Sequence, residues 1–157
     1  MIRPVPEDTI TLRPRQASDA DVPSSDLAIA GRSAAQPVAG VVLEAAFECD
    51  GRFVLFLTDD IPFEESLRIH LLGADLQLLD SATLGSMYST GRFELLGLQQ
   101  PGTVRFRFFG DTDWVVEVLD APASRMPFFG DPRGVHRPFG FVRHFKVHGD
   151  PQPERSG

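Results

Sequence analysis

From Val41 to Cys49 every odd position is apolar: Val41, Leu43, Ala45, Phe47 and Cys49, with Glu44 and Glu48 on the other parity. A two-residue period of this kind predicts a half-buried β-strand. Asp50-Gly51 follows, a strong signal for a two-residue hairpin turn. Phe53-Val54-Leu55-Phe56-Leu57 is apolar at both parities, which predicts a central strand covered on both sides. Leu67, Ile69 and Leu71 alternate with Arg68 and His70, and Gly73-Ala74-Asp75 turns the chain into Leu76-Gln77-Leu78-Leu79.

Asp60, Pro62, Glu64 and Glu65 resemble a helix start, with Phe63, Leu67 and Leu71 four apart. The Gly73 turn favours strand from Ser66 onward, leaving room for one helical turn at 61–65. Further strands are expected at Arg92–Leu96, Thr103–Phe109, Trp114–Leu119 and Phe139–Val147. Val104, Phe106 and Phe108 should face inward, and Arg105 and Arg107 outward. About eight short strands joined by Gly/Asp turns argue for an all-β fold, an antiparallel β-sandwich or partly open barrel.

Every aromatic residue lies between Phe47 and Phe145. Residues 1–37 are rich in Pro, Ala, Ser and Asp and are expected to form a flexible N-terminal arm, with a short edge strand at Ile10-Thr11-Leu12. Residues 38–149 are the expected sandwich domain, and 150–157 a disordered tail.

The chain has 157 residues, enough for one domain, and a net charge of −7. Fourteen Arg stand against one Lys, and there is no Asn. The single Cys excludes an internal disulfide and any multi-thiolate metal site. The first residues lack the apolar stretch of a secretory signal, and no apolar run approaches the ~20 residues that span a bilayer. The expected setting is cytoplasmic, without membrane contact.

Chemistry is excluded more readily than assigned. Lys146, the one Lys, stands in no phosphate-loop motif. There is no Gly-x-Ser-x-Gly elbow, no His-Glu-x-x-His helix and no Gly-rich turn between a strand and a helix. No enzyme activity and no cofactor are expected. Cys49 shares the apolar face of its strand beside Glu48 and Asp50, a setting that raises a thiol pKa. His144 and His148 are about 13 Å apart if they share a strand face, too far to bind one ion.

Three function classes follow. The first is a non-catalytic module that binds a protein partner or itself. Ala121–Pro138 holds four Pro and no clear period, and such long connections within compact domains are usually functional or disordered. Its Met126, Phe128 and Phe129, with Arg125, Arg133, His136 and Arg137, combine aromatic and Met anchors with basic residues, as protein interfaces do. The second is a carbohydrate- or calcium-binding sandwich using the acidic turns at Asp59, Asp60, Glu64 and Glu65 and at Asp111 and Asp113. The third is a single-stranded nucleic-acid-binding barrel using Arg105, Arg107, Arg143 and Lys146. The negative charge weighs against nucleic acid as a partner.

Overall fold

The computed structural model describes residues 1–16, 22–61, 65–85, 91–124, 131–138 and 142–151. In chain order the strands are β1 (Ile2–Pro4), β2 (Ile10–Pro14), β3 (Ser24–Ile29), β4 (Arg32–Ser33), β5 (Val38–Ala39), β6 (Val42–Cys49) and β7 (Arg52–Thr58). They continue with β8 (Leu67–Leu72), β9 (Leu78–Leu84), β10 (Glu94–Gln99), β11 (Thr103–Arg107), β12 (Trp114–Ser124), β13 (Val135–His136) and β14 (Val142–His148). All pairings are antiparallel.

Three sheets result. Sheet A has the order β1-β6-β7-β8-β9-β13 and sheet C the order β10-β11-β12-β14. Sheet B is β2-β3-β4, with β5 also paired to β3. The all-β expectation holds, and the eight expected strands correspond to β6 through β12 and β14.

Sheet A is the middle layer because its strands are apolar on both faces. Toward sheet C, Phe47, Val54, Phe56, Leu67, Ile69 and Leu71 meet Val104, Phe106, Trp114, Val116 and Phe145. Phe56 is the hub of the rings, 5.2 Å from Phe106 and 5.3 Å from Phe93 between centroids. Toward sheet B, Ala46, Leu55, Leu57 and Leu72 meet Leu27, Ile29 and Val38. Two cores therefore share one sheet.

Parity in β6 shifts partway along. Leu43 pairs with Leu57 and Ala45 with Phe56, so Glu44 is the extra residue of a β-bulge. Leu43 then packs toward sheet B, while Ala45, Phe47 and Cys49 pack toward sheet C. The regular odd-position row read from sequence is thus split between the two cores. Glu44 accepts a hydrogen bond from the Thr58 hydroxyl at 2.9 Å. The Asp50-Gly51 turn has φ of +52° and +81°, the double positive-φ geometry expected of this dipeptide.

Residues 1–37 do not form the expected flexible arm in their described parts: they supply β1 to β4. Ile2 is buried against the sheet A–C core, and Leu27 and Ile29 are buried against the other face of sheet A. Aliphatic residues alone suffice here because the second face of sheet A offers a ready apolar partner. Ile10-Thr11-Leu12 does fall in an edge strand, β2. Gly40 closes the link from β5 to β6 with φ of +108°, and a Cβ there would stand 2.6 Å from the Leu57 Cβ. Its carbonyl accepts from the buried Ser25 hydroxyl at 2.8 Å.

The strand reading from Ser66 onward and the Gly73 hairpin are both present. Residues 62–64 of the expected helical turn lie outside the described residues, as do Phe139–Phe141 and residues 152–157. Val104, Phe106 and Phe108 face inward and Arg105 outward, as expected.

Candidate functional site

Sheets A and C meet along two seams, and each seam is joined by side chains acting on backbone. At one seam, Asp80 of β9 and Arg137 just after β13 form an ion pair of 2.5 Å, with side chains 4% and 3% exposed. Arg137 also donates to the Ser81 carbonyl at 2.9 Å and to the Phe145 carbonyl at 3.3 Å. Its guanidinium carbon lies 4.3 Å from the centre of the Phe145 ring. Asp131 stands 3.6 Å away as a second carboxylate. Asp80 in turn accepts the backbone N–H of His144 at 2.8 Å and that of Ser81 at 2.8 Å. The pair therefore satisfies two backbone groups of β14, the end strand of sheet C, at His144 and Phe145.

At the other seam Gln100 acts in the same way. Its side-chain oxygen accepts the Ile2 N–H and its amide donates to the Ile2 carbonyl, both at 2.8 Å. This amide takes the place of a neighbouring strand beside β1.

Among the described residues, the strand β10 has no comparable cap along most of its length. It ends sheet C and pairs only with β11 among the described residues. Leu95 pairs with Phe106 and Gly97 with Arg105, which makes Leu96 the extra residue of a bulge. Leu95 is 44% exposed and Leu96 39%. A Cβ added at Gly97 would meet nothing within 4 Å, so the backbone there is open to approach.

The residues picked out in the 121–138 stretch divide sharply. Arg125, Met126, Phe128 and Phe129 lie outside the described residues. Arg133 is exposed and donates to the Pro151 carbonyl at 3.3 Å. His136 is exposed and pairs with Thr83 in β9. The Arg137 side chain is buried, and its donors are turned to internal acceptors. Its role at the seam was not visible in sequence, because Asp80 is 57 residues away.

Among the acidic residues at the turns, Asp59, Glu65 and Asp113 are engaged. Asp59 forms a two-pronged pair with Arg68, at 2.9 and 3.2 Å. Glu65 accepts the backbone N–H groups of Asp59 and Asp60. Asp113 binds both Arg105 and Arg107, and these arginines hold its carboxyl below the usual carboxylate range, Arg107 foremost. No group of three or more His, Cys, Asp or Glu able to hold a metal occurs among the described residues. Phe106 and Phe108 lie in the core, on the opposite face from Arg105, and Arg143 is buried. Rings and basic groups do not converge there on a common surface for stacking bases.

Cys49 is buried, and burial, reinforced by Asp50, raises its thiol pKa. This is the opposite of an activated nucleophile. His70 is buried at the sheet A–B interface with its Nε2 2.8 Å from the Ala39 carbonyl, so Nε2 carries the proton and donates. Its Nδ1 is buried without a hydrogen-bond partner. Burial lowers the His70 pKa, and Arg68 adds to that, against the opposing pull of the Ala39 bond and Asp59.

The stability consequence has a definite sign. Above pH 6.5, the ordinary value for the unfolded side chain, both states are neutral and His70 contributes no pH dependence. As pH falls below 6.5 the unfolded chain takes up a proton that the folded chain resists, so stability falls until the lowered folded pKa is reached. Denaturant midpoints are expected to drop between pH 7.5 and 5.5, with a His70 slope of up to about 1.4 kcal/mol per pH unit. In His70→Gln that part of the slope should vanish; an unchanged slope would place the titration elsewhere.

A scan of protein-family models matches none to this chain, and searches of curated proteins and of solved structures likewise give no match.

Proposed function

We propose that the chain is a non-catalytic protein-interaction module, and that an extended segment of a protein partner docks along β10 as a fifth strand of sheet C. The reading rests on one contrast. Backbone groups of Ile2 in β1 and of His144 and Phe145 in β14 are engaged by Gln100 and by Asp80 with Arg137, whereas β10 ends its sheet among the described residues with Leu95 and Leu96 exposed. Strand addition draws affinity from backbone hydrogen bonds and selectivity from flanking side chains, and here the two leucines supply the apolar part. Proteins generally protect such edges, so one without a cap among the described residues and carrying apolar side chains marks a place for a partner. The bulge at Leu96 interrupts the β11 ladder and leaves that residue without a cross-strand partner.

The net charge of −7 sets two copies against each other and favours a neutral or basic partner segment over self-association. The raised thiol pKa of Cys49 and the internal pairing of Asp59, Asp80 and Asp113 support a non-catalytic role. Met126, Phe128 and Phe129 stay as candidate anchors on the sequence reading alone.

A photo-crosslinking amino acid at Leu95 should give one discrete protein adduct in cells, and the same probe at the exposed Gln36 should give none. In the purified complex, backbone amide exchange should slow at Leu95–Gln99, and Leu96→Pro should abolish the adduct while leaving the β-type circular dichroism intact. Equal adducts from Leu95 and Gln36, or a complex with unprotected β10 amides, would refute the docking edge.

A further inference from the structure

We infer that the outer face of sheet B carries a binding site for the oxyanion group of a small molecule, a phosphate or a carboxylate. A groove of about 410 Å³ lies there, lined by Thr11, Arg13, Asp26, Ala28, Ser33 and Ala34. That volume falls within the range typical of small-molecule sites.

Strand register explains the lining. Thr11 pairs with Ala28, and Ala28 with Ser33, so three short side chains form one cross-strand row with Ala28 in the middle. Arg13 pairs with Asp26 two positions along, which puts it on the same face. Inward-facing Leu12, Leu27 and Ile29 fill the core beneath. The short middle residue leaves a depression flanked by two hydroxyls and a guanidinium.

The charges are arranged for an anion. Asp26 is paired with Arg15 at 3.1 Å. Arg13 has no ion pair or hydrogen bond among the described residues, and neither do the hydroxyls of Thr11 and Ser33. Arg15 stands outside the lining and engages Asp26, which leaves Arg13 as the charged lining side chain without an ion pair among the described residues. A planar guanidinium fork and two hydroxyl donors suit the oxygens of a phosphate or carboxylate. The groove is on sheet B and the docking edge on sheet C, so the two proposals stand or fall separately.

The test is a titration of the full chain, followed by amide nuclear magnetic resonance, with inorganic phosphate in one arm and acetate in the other at constant ionic strength. Saturable shifts are expected at Thr11, Ala28 and Ser33, and the arm that saturates at lower concentration identifies the group. Arg13→Gln should weaken binding about tenfold, as loss of a charged hydrogen-bond donor does. Ser33→Ala should weaken it by a smaller factor. Both positions are exposed, and unchanged circular dichroism would verify that the variants fold. Shifts that never saturate in either arm, or an Arg13→Gln variant that titrates like the parent chain, would overturn the assignment.

Discussion

Removal of residues 1–37 should prevent the chain from reaching a stable fold. The cut takes away β1 to β4 and uncovers the sheet B side of Leu55, Leu57 and Leu72, all buried in the intact chain. It also removes Ile2, Leu27 and Ile29, each almost fully buried. Burying one such side chain contributes about 1.5–3 kcal/mol. A few of them together match the typical net stability of a domain, about 5–15 kcal/mol. The truncated chain should therefore aggregate or lose its near-ultraviolet circular dichroism and its cooperative melt. A flexible arm would leave the melting temperature unchanged, and that result would refute the three-layer arrangement. Ile29→Ala gives a milder check in the full chain, with an expected loss of about 2–5 kcal/mol.

Arg137→Met should be the most damaging single substitution at the seam. It leaves Asp80 buried without its counter-charge, and breaking a buried pair in this way costs about 3–5 kcal/mol. Replacing both members of a buried pair by apolar residues often restores stability. Here Asp80→Leu combined with Arg137→Met should not do so. The His144 N–H and the Phe145 carbonyl would both lose their partners, and each unpaired buried backbone group costs about 1–3 kcal/mol. Guanidinium unfolding of both single variants and the double gives the comparison, and amide exchange at His144 reports the seam directly. Full recovery in the double variant would show that charge, not edge capping, is the pair's main contribution.

Much of the architecture was legible in the order of residues. β7 and β8 could be read because two-sided apolarity and strict alternation are strong signals, and the Asp50-Gly51 turn because its dipeptide suits positive φ. The N-terminal layer was misread for a physical reason. Its core residues are aliphatic and sparse, and Leu27 and Ile29 become a buried face only when another sheet covers them. The pattern Leu27-Ala28-Ile29 running into Ala30-Gly31 was the available signal. The split of β6 between two cores depends on a bulge at Glu44, which alternation alone does not reveal. The candidate sites were harder still. Arg137 looked like a surface cation because its partner Asp80 is far away in sequence, and the β10 edge emerges only once the caps on β1 and β14 are known.

The double-sided middle sheet has a kinetic consequence. In most strands a slip of one residue drives oily groups into water and is punished at once. Along Phe53–Leu57 there is no such penalty, since either parity presents oil to both neighbours. Correct alignment of that strand must be enforced by the tight Asp50-Gly51 reversal and the Glu44 insertion, so lengthening that reversal by one residue would invite misaligned, sticky folding intermediates before it weakened the finished molecule.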